Sequence, residues 1–228
     1  MSTEDELKRD AALRALALVE DGMTLGLGSG STARHFVAEL GARLATGSLK
    51  RLRGVATSLG TERQASGLGI PLVDLPEDGV DLAVDGMDEL SPELDAIKGL
   101  GGALLREKVV AAAARRFVLI GDSSKLVAYL GQKAPVPVEV ARFGWRRSRR
   151  ALEELGATAV LRQSSGEPVA SDNGNFIVDC RFPERFDARL LAASLGAMPG
   201  VLEHGLFLGM AERAFVAEAG GVRELARR

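Results

Sequence analysis

The stretch MTLGLGSGST, residues 23–32, decides the fold. A short apolar run over 23–28 leads into a glycine-rich turn, and hydroxyl residues follow where helical spacing begins at residue 31. A strand, a glycine turn and a helix in this order open an α/β sheet, and the first N–H groups of such a helix attract anions. The stretch therefore predicts a parallel sheet with an anion site at the carboxyl end of its first strand.

The same alternation of strands and helices continues on both sides of this turn. Helical spacing of apolar residues predicts helices at 4–20, 31–45, 61–69 and 101–116. Short apolar runs predict strands at 23–28, 52–58, 70–75, 80–90 and 117–122. We therefore expect an α/β fold, a Rossmann-like, doubly wound and mostly parallel sheet.

The pattern changes near residue 134. The run APVPVEVA, 134–141, has prolines two residues apart, which favours an edge strand or a crossing between domains. Beyond it, two predicted helices stand among predicted strands without strict alternation. The first helix is at 146–157, and the second lies within 186–201 and stops at Pro199; the strands are at 158–163, 175–182 and 205–210. The sequence thus predicts a Rossmann-like domain, 1–133 plus 206–228, and a smaller α+β (ferredoxin-like) lid domain, 134–205.

Composition excludes several classes of protein. The chain has 228 residues, 46% of them apolar and 26% charged, which is ordinary for a folded protein and unlike a disordered one. A net charge of −2 and 4% aromatic residues argue against a nucleic-acid surface, and the single cysteine, Cys180, excludes an internal disulfide. The polar N-terminus and the lack of a ~20-residue apolar run predict a cytoplasmic protein with no membrane contact.

Histidine chemistry is also disfavoured. The two histidines, His35 and His204, lie far apart in the chain without ligand-like spacing, and no G-x-S-x-G segment is present. Proton transfer therefore falls to carboxylates and lysines. The basic run RRSRR, 146–150, resembles a nucleic-acid patch, but Glu153 and Glu154 follow it and favour a solvated helix face.

The first candidate site is the loop GLGSGST, 26–32. It lacks the Gly-Lys-Ser/Thr ending of a nucleotide-binding P-loop, and Ser31 stands where a dinucleotide fingerprint has its third glycine. The hydroxyls of Ser29, Ser31 and Thr32 and the helix N–H groups suit a phosphate. A plain turn in which Ser31 or Thr32 caps the helix is the alternative.

The second candidate is the acidic segment DGMDE, 85–89. Its three acids follow the predicted strand at the carboxyl end, where ligands bind in open α/β sheets. The segment is therefore interpreted as a ligand site; a solvated acidic turn is the alternative, and a Mg²⁺ site is a second choice.

The third candidate is the turn KGLGG, 98–102, which leads into a predicted helix with Glu107 near its start. Glu107 either compensates the helix dipole or acts as a general base. Lys125 adds a cation after the strand at 117–122. Anion-binding groups, carboxylates and lysines without a cofactor motif together predict proton transfer on a phosphorylated small molecule.

Six segments, taken in order, resemble the ribose-5-phosphate isomerase family of type A. They are GLGSGST (26–32), DGMDE (85–89), KGLGGALLREK (98–108), SSK (123–125), PVEV (137–140) and SDNGNFIVD (171–179). The resemblance implies that the chain interconverts ribose 5-phosphate and ribulose 5-phosphate. It also implies a sugar phosphate as the small-molecule partner, no metal or other cofactor, and a homodimer or homotetramer.

The resemblance implies roles for individual residues. Glu107 would be the proton acceptor, Asp85 and Asp88 would handle the sugar hydroxyls and ring opening, and Lys98 would lie near the carbonyl end. The implied substrate-binding residues are Lys8, Ser29, Gly30, Ser31, Thr32, Gly86, Met87, Gly99, Leu100, Gly101 and Lys125.

The sequence departs from the family at Met87, where alanine is usual, and at Leu100, which replaces a glycine of the KGGG turn. These changes bear on rate and substrate preference. Among the alternatives, a sugar-phosphate-sensing regulator would need a DNA-binding module ahead of the first strand. A deaminase or CoA-transferase of related fold would lack the combination of 85–89 with 98–102. A sugar-phosphate binder without catalysis also stays open.

Overall fold

The computed structural model describes residues 3–227. Its helices are α1 (Glu4–Leu16), α2 (Gly30–Ala45), α3 (Leu59–Gly67), α4 (Leu104–Ala112), α5 (Trp145–Glu154) and α6 (Ala188–Gly196). Its strands are β1 (Thr24–Leu27), β2 (Arg53–Ala56), β3 (Leu82–Gly86), β4 (Glu89–Leu90), β5 (Ala96–Ile97), β6 (Phe117–Asp122), β7 (Val136–Val140), β8 (Thr158–Leu161), β9 (Gln163–Ser164), β10 (Glu167–Pro168), β11 (Phe176–Arg181), β12 (Val201–His204), β13 (Leu206–Phe207), β14 (Arg213–Glu218) and β15 (Gly221–Ala226). Within the described range, no helix combines the length and the hydropathy needed to cross a membrane.

The described chain divides into two compact units. Unit 1 comprises 3–87, 106–126 and 209–227, and unit 2 comprises 88–105 and 127–208. Unit 1 is built on a six-stranded sheet in the order β15-β14-β6-β3-β1-β2. Every neighbouring pair in it is parallel except the hairpin of β14 and β15. The mostly parallel sheet confirms the predicted α/β fold, and the last segment of the chain returns to it as expected.

Burial explains why these strands form. Every residue of β1, β3 and β6 is buried, as expected for a parallel sheet covered on both faces. The core packs strand residues against apolar stripes of α1 and α2, including Leu16, Phe36 and Leu40. The first helix begins in a capping box, in which Thr3 and Glu6 each satisfy a backbone N–H of the other.

The order of the strands creates a switch point beside β1. The chain passes from β1 to β2 on one side and then to β3 on the other side of β1. Leu27 of β1 lies level with Val84 of β3, so the segments after both strands emerge together at the carboxyl edge. Ligands in open α/β sheets bind at this position.

Unit 2 contains a four-stranded antiparallel sheet in the order β12-β7-β11-β8. The chain order β7-α5-β8-β11-α6-β12 is that of a ferredoxin-like split βαβ arrangement, as predicted. The edge-strand interpretation of 134–141 is wrong, because β7 pairs with β11 on one side and β12 on the other. The last residue of β7 that pairs with β12 is Val138, and Pro137 lies one residue beyond it. An N–H at position 137 would have no acceptor on β12, so a proline is tolerated there.

Unit 2 is larger than the predicted segment 134–205, since it also takes in 88–105 and 127–133. A three-stranded sheet, β13-β5-β4, ties the first of these segments to β13. The carboxylate of Glu89, with no exposed surface, accepts hydrogen bonds from the N–H groups of Gly131, Lys133 and Ala134 at 2.5–2.6 Å. The third acid of 85–89 therefore holds the backbone of 131–134.

Several predicted elements differ from the structure. The strand predicted over 80–90 divides into β3 and β4, and the helix predicted over 4–20 ends at Leu16. Segment 70–75 is not a strand: it runs beside β2 through a bridge at Leu72, and Pro71 supplies no N–H. The helix predicted over 101–116 begins only at Leu104, because Gly102 has a φ of +87°, outside helical conformation. The strand predicted at 205–210 shortens to β13.

The buried Cys180 makes stability depend on pH at the alkaline end. The residue is 1% exposed, and burial, with a smaller contribution from the charge of Asp179, raises the pKa of its thiol from 9.0 to about 12. Above pH 9.0 the unfolded chain releases the proton and the folded chain retains it, so this group favours unfolding as the pH rises. We expect Cys180→Val to reduce the fall in unfolding free energy by at most about 1.4 kcal/mol per pH unit above pH 9. Urea denaturation at pH 8, 9 and 10 tests this; parallel pH profiles for both proteins would contradict it.

Candidate active site

In unit 1, the turn after β1 is hydrogen-bonded to the end of β3. The N–H of Gly28 donates to the carbonyl of Val84 at 3.0 Å. The N–H groups of Ser29 and Gly86 both donate to Asp85 Oδ1, at 3.0 and 2.7 Å. Asp85 is 3% exposed, so the interpretation of 85–89 as a solvated acidic turn is wrong. The carboxyl ends of the two strands form one rigid edge with a buried carboxylate in it.

The helix after this turn begins differently from the capping alternative. Ser29, not Ser31 or Thr32, is the N-cap of α2, and its side chain makes no capping hydrogen bond. Ser31 and Thr32 lie inside the first turn, where backbone N–H groups have no acceptor four residues earlier. Gly30 begins the helix with a φ of +92°, which suits glycine. The loop thus presents helix N–H groups at the carboxyl edge of the sheet.

The hydroxyl of Ser29 belongs to a network that the sequence did not predict. Ser29 Oγ lies 2.7 Å from Thr57 Oγ1, 2.8 Å from Ser58 Oγ and 3.2 Å from Thr61 Oγ1. These three residues follow β2 and open α3, and Thr61 donates to the carbonyl of Gly28. The sequence did contain a pattern that could have indicated this network: hydroxyl residues stand between a strand and a helix here, as they do at 26–32.

Glu107 lies in the first turn of α4 and is 5% exposed. Helix α4 packs against β1, since a Cβ at Gly26 would lie 2.6 Å from Val110 Cγ1. Glu107 is one turn earlier on the same face of the helix. Because α4 leads into β6, which runs in the same direction as β1, the first turn of α4 lies at the carboxyl edge of the sheet. Unit 1 therefore brings Ser29, Asp85 and Glu107 to one edge.

Met87 and Lys125 also lie at the carboxyl edge of unit 1. Lys125 is half-buried in a 3₁₀ turn, Ser123–Lys125, directly after β6. Met87 is 6% exposed and packs over Gly121, where a Cβ would lie 2.7 Å from Met87 Cε and 3.6 Å from Lys125 Cγ. The missing side chain at 121 provides the space for the larger residue at 87.

In unit 2, Asp88 and Lys98 are held by one turn. The N–H of Asp88 donates to the carbonyl of Ile97 at 2.8 Å, and Asp88 Oδ2 accepts from the N–H of Leu100 at 3.0 Å. Lys98 is 2% exposed, and its Nζ lies 5.5 Å from the centre of the Phe207 ring, within range of a cation–π interaction. Phe207 was not singled out from the sequence.

A family model for ribose 5-phosphate isomerase A (phosphoriboisomerase A) matches residues 53–221. The chain belongs to this family. A ribose-5-phosphate isomerase A from Deinococcus radiodurans is 48% identical over 223 residues, covering 98% of this chain and 99% of that protein. One from Roseiflexus sp. is 52% identical over 225 residues, 97% of each chain. A solved D-ribose-5-phosphate isomerase in complex with phospho-erythronic acid has a TM-score of 0.96 at 40% identity, covering 99% of this chain and 100% of that one.

The departure from the family's KGGG turn at Leu100 is compatible with the backbone. Only Gly99 and Gly102 have positive φ angles, +101° and +87°, and both glycines are retained. Leu100 is 42% exposed, and a Cβ at Gly101 would meet no atom within 4 Å. A side chain at position 100 therefore fits the turn.

Alanine at position 99 is expected to disturb the turn. The substitution Gly99→Ala puts a Cβ in left-handed backbone, 2.8 Å from Leu104 Cβ, and we expect a loss of about 1–3 kcal/mol of unfolding free energy. Leu100→Ala, the matched control, keeps stability within about 0.5 kcal/mol because its side chain is largely in solvent. Thermal and urea unfolding of both variants measure this; equal stabilities would contradict it.

Lys8, which the resemblance implies as a substrate-binding residue, forms an ion pair within α1. Its Nζ lies 2.5 Å from Glu4 Oε1, one turn earlier on α1, and its side chain is 13% exposed. A part in phosphate binding stays a prediction for this residue.

Proposed function

We propose that this chain interconverts D-ribose 5-phosphate and D-ribulose 5-phosphate through an enediolate, with Glu107 as the proton shuttle. The observation that carries the reaction is the likeness to the isomerase family over nearly the whole chain. The residue roles are proposed from the burial, position and hydrogen bonds of each side chain.

Moving the carbonyl from C1 to C2 requires one proton to leave C2 and one to reach C1. A single carboxylate on one face of the sugar does both, since it holds the proton between the two steps. Glu107 is a carboxylate with 5% exposure, so little solvent competes for the proton. Its position in the first turn of a helix fixes the backbone from which the side chain extends.

The enediolate carries negative charge on oxygen, and its stabilisation accelerates both directions of the reaction. In the proposal Lys98 supplies the positive charge, and the N–H groups of Gly99 and Gly101 approach the sugar oxygens. A buried ammonium at 2% exposure interacts more strongly with such a charge than one in water.

The phosphate is proposed to bind the loop of Ser29, Gly30, Ser31 and Thr32, with Lys125 and Lys8 as cations. Helix N–H groups and hydroxyls are the usual ligands of a phosphate. Anchoring the distant phosphate places C1 and C2, so that binding energy is used at the reacting carbons. Gly86 and Met87 are proposed to line the same edge.

Asp85 and Asp88 are proposed to bind the sugar hydroxyls and to open the ring. Asp85 Oδ1 is fixed by two backbone N–H groups, and Asp88 Oδ2 by one, so both carboxylates keep a defined orientation. A fixed carboxylate takes the proton of a hydroxyl without reorganising.

The compound held by the solved relative supports the proposed intermediate. Phospho-erythronic acid, which that relative holds, is a sugar acid phosphate. Its carboxylate is planar and carries negative charge on oxygen, as an enediolate does. For this chain we expect it to compete with ribose 5-phosphate and to bind more tightly than the substrate, as analogues of reactive intermediates do.

The direct test is to mix the purified chain with ribose 5-phosphate in excess EDTA and to follow ribulose 5-phosphate by its ketose absorbance. Conversion at an undiminished rate supports the proposal, including the prediction that no metal takes part. No conversion, with or without Mg²⁺ or Mn²⁺, contradicts it. Cytoplasmic location and assembly as a homodimer or homotetramer also stay predictions, the second testable by sedimentation.

A further inference from the structure

Arg162 connects the small sheet of unit 2 to the glycine-rich turn at 98–102. Its Nη1 donates to the carbonyl of Gly99 at 3.0 Å and to that of Leu100 at 2.9 Å. Its Nε and Nη2 donate to Asp179 Oδ2 and Oδ1, at 2.9 and 2.5 Å. One guanidinium therefore joins two consecutive carbonyls of the turn to a carboxylate of β11.

The ion pair between Arg162 and Asp179 has a fixed geometry. The side chains of Arg162 and Asp179 are 15% and 24% exposed, and the two-point contact fixes the plane of the guanidinium. Asp179 lies within β11, which has a partner strand on each side. Ile177 lies two residues earlier on β11, and its Cδ1 would be 3.4 Å from a Cβ placed at Gly102. Strand β11 is therefore linked to the beginning of the turn through Arg162, and its Ile177 lies beside the end of the turn.

By fixing the turn, Arg162 also restrains Asp88 and Lys98. The N–H of Leu100 donates to Asp88 Oδ2. This N–H and the carbonyl of Gly99 belong to the same peptide group. Arg162 therefore binds the oxygen of a peptide whose nitrogen binds Asp88. Lys98 is the first residue of that turn and is almost completely buried.

We propose that Arg162 and Asp179 are positioning residues for the isomerisation, which hold the 98–102 turn and Asp88 in their reactive conformation. The inference rests on the proposed function, because it assigns a purpose to a turn that the proposal places at the sugar. It also accounts for Asp179, the last residue of SDNGNFIVD (171–179), which has no other part in the proposed chemistry.

A lysine does not replace this arginine. Guanidinium is planar and donates from three nitrogens at fixed angles, so it serves a carboxylate and two carbonyls together. An ammonium has three donors on a flexible stem and cannot make the same four hydrogen bonds.

Two variants of Arg162 and one control test the inference. We expect Arg162→Ala and Arg162→Lys to lower kcat/KM for ribose 5-phosphate by about 10- to 100-fold, since small misplacements of reacting groups have effects of this size. The control is Arg181→Ala: this arginine of β11 also donates to a backbone carbonyl, that of Lys133, but does not contact the turn. We expect it to keep kcat/KM within twofold of the unaltered chain. If Arg162→Ala does not fold, Arg162→Lys carries the measurement.

Two further readouts distinguish positioning from a loss of stability. Methylguanidinium at millimolar concentration should restore at least tenfold of the activity of Arg162→Ala, while methylammonium should not. Amide hydrogen exchange at Leu100 should be at least tenfold faster in Arg162→Lys than in the unaltered chain or in Arg181→Ala.

The outcomes separate the inference from the proposed function. An active unaltered chain with kcat/KM within twofold in both Arg162 variants overturns the inference alone, as does unchanged exchange at Leu100. Lost activity without rescue by methylguanidinium also overturns it when Arg162→Ala is folded. An inactive unaltered chain refutes the proposed function, and the positioning role falls with it.

Discussion

Replacing Glu107 by glutamine lowers kcat for ribose 5-phosphate by about 10²- to 10⁴-fold, the range expected on removal of a general base. Glutamine has nearly the same shape and accepts no proton, so the substrate still binds and KM changes little. Because Glu107 is 5% exposed, water does not easily take its place as the base. Steady-state kinetics in both directions, with binding measured by calorimetry, test this expectation.

The matched control is Glu62→Gln. Glu62 also lies in the first turn of a helix of unit 1, α3, but it is exposed. We expect its kcat to stay within twofold of the unaltered chain. A Glu107→Gln variant that kept a tenth or more of the rate would exclude Glu107 as the base.

Replacing Gly28 by alanine lowers kcat/KM by about 100-fold or more. A Cβ at position 28 would overlap the carboxylate and the Cα of Asp85, so either the loop or the buried acid must move. That movement breaks the hydrogen bond from Ser29 N–H to Asp85 and displaces the proposed phosphate loop from the sugar site. Kinetics with ribose 5-phosphate measure the loss.

Gly67→Ala serves as the control for this substitution. Gly67 is in α3, and a Cβ there meets no atom within 4 Å. Activity should be unchanged, and stability should stay within about 0.5 kcal/mol of the unaltered chain, because the substitution is at the exposed end of the helix. If Gly28→Ala retained activity within threefold of the unaltered chain, the contact between the loop and Asp85 would have no part in the reaction.

Local pattern predicted the elements that are fully buried. The segments that became β3 and β6 are apolar up to Asp85 and Asp122, as expected for parallel strands that are covered on both faces. Segment 70–75 has a similar apolar content, but Pro71 removes a donor and leaves only a bridge to β2. Strand pairing depends on backbone donors as well as on hydropathy.

Side-chain contacts between distant segments could not be predicted from the sequence. Glu89 stands beside Asp85 and Asp88 in an acidic run, yet it binds the backbone 42 to 45 residues further on. The hydroxyl cluster around Ser29 joins residues 28 to 32 positions apart, through the pairing of β1 with β2. Such partners follow from tertiary structure, and a spacing rule does not reveal them.

The most direct test of the central claim uses ribose 5-phosphate that carries deuterium at C2. A single base that shuttles one proton delivers part of this deuterium to C1 of ribulose 5-phosphate and loses the rest to solvent. NMR of the product should show label at C1 with the unaltered chain and Glu62→Gln, and no conversion on the same timescale with Glu107→Gln. Transfer of the label by Glu107→Gln at a rate near that of the unaltered chain would contradict the account.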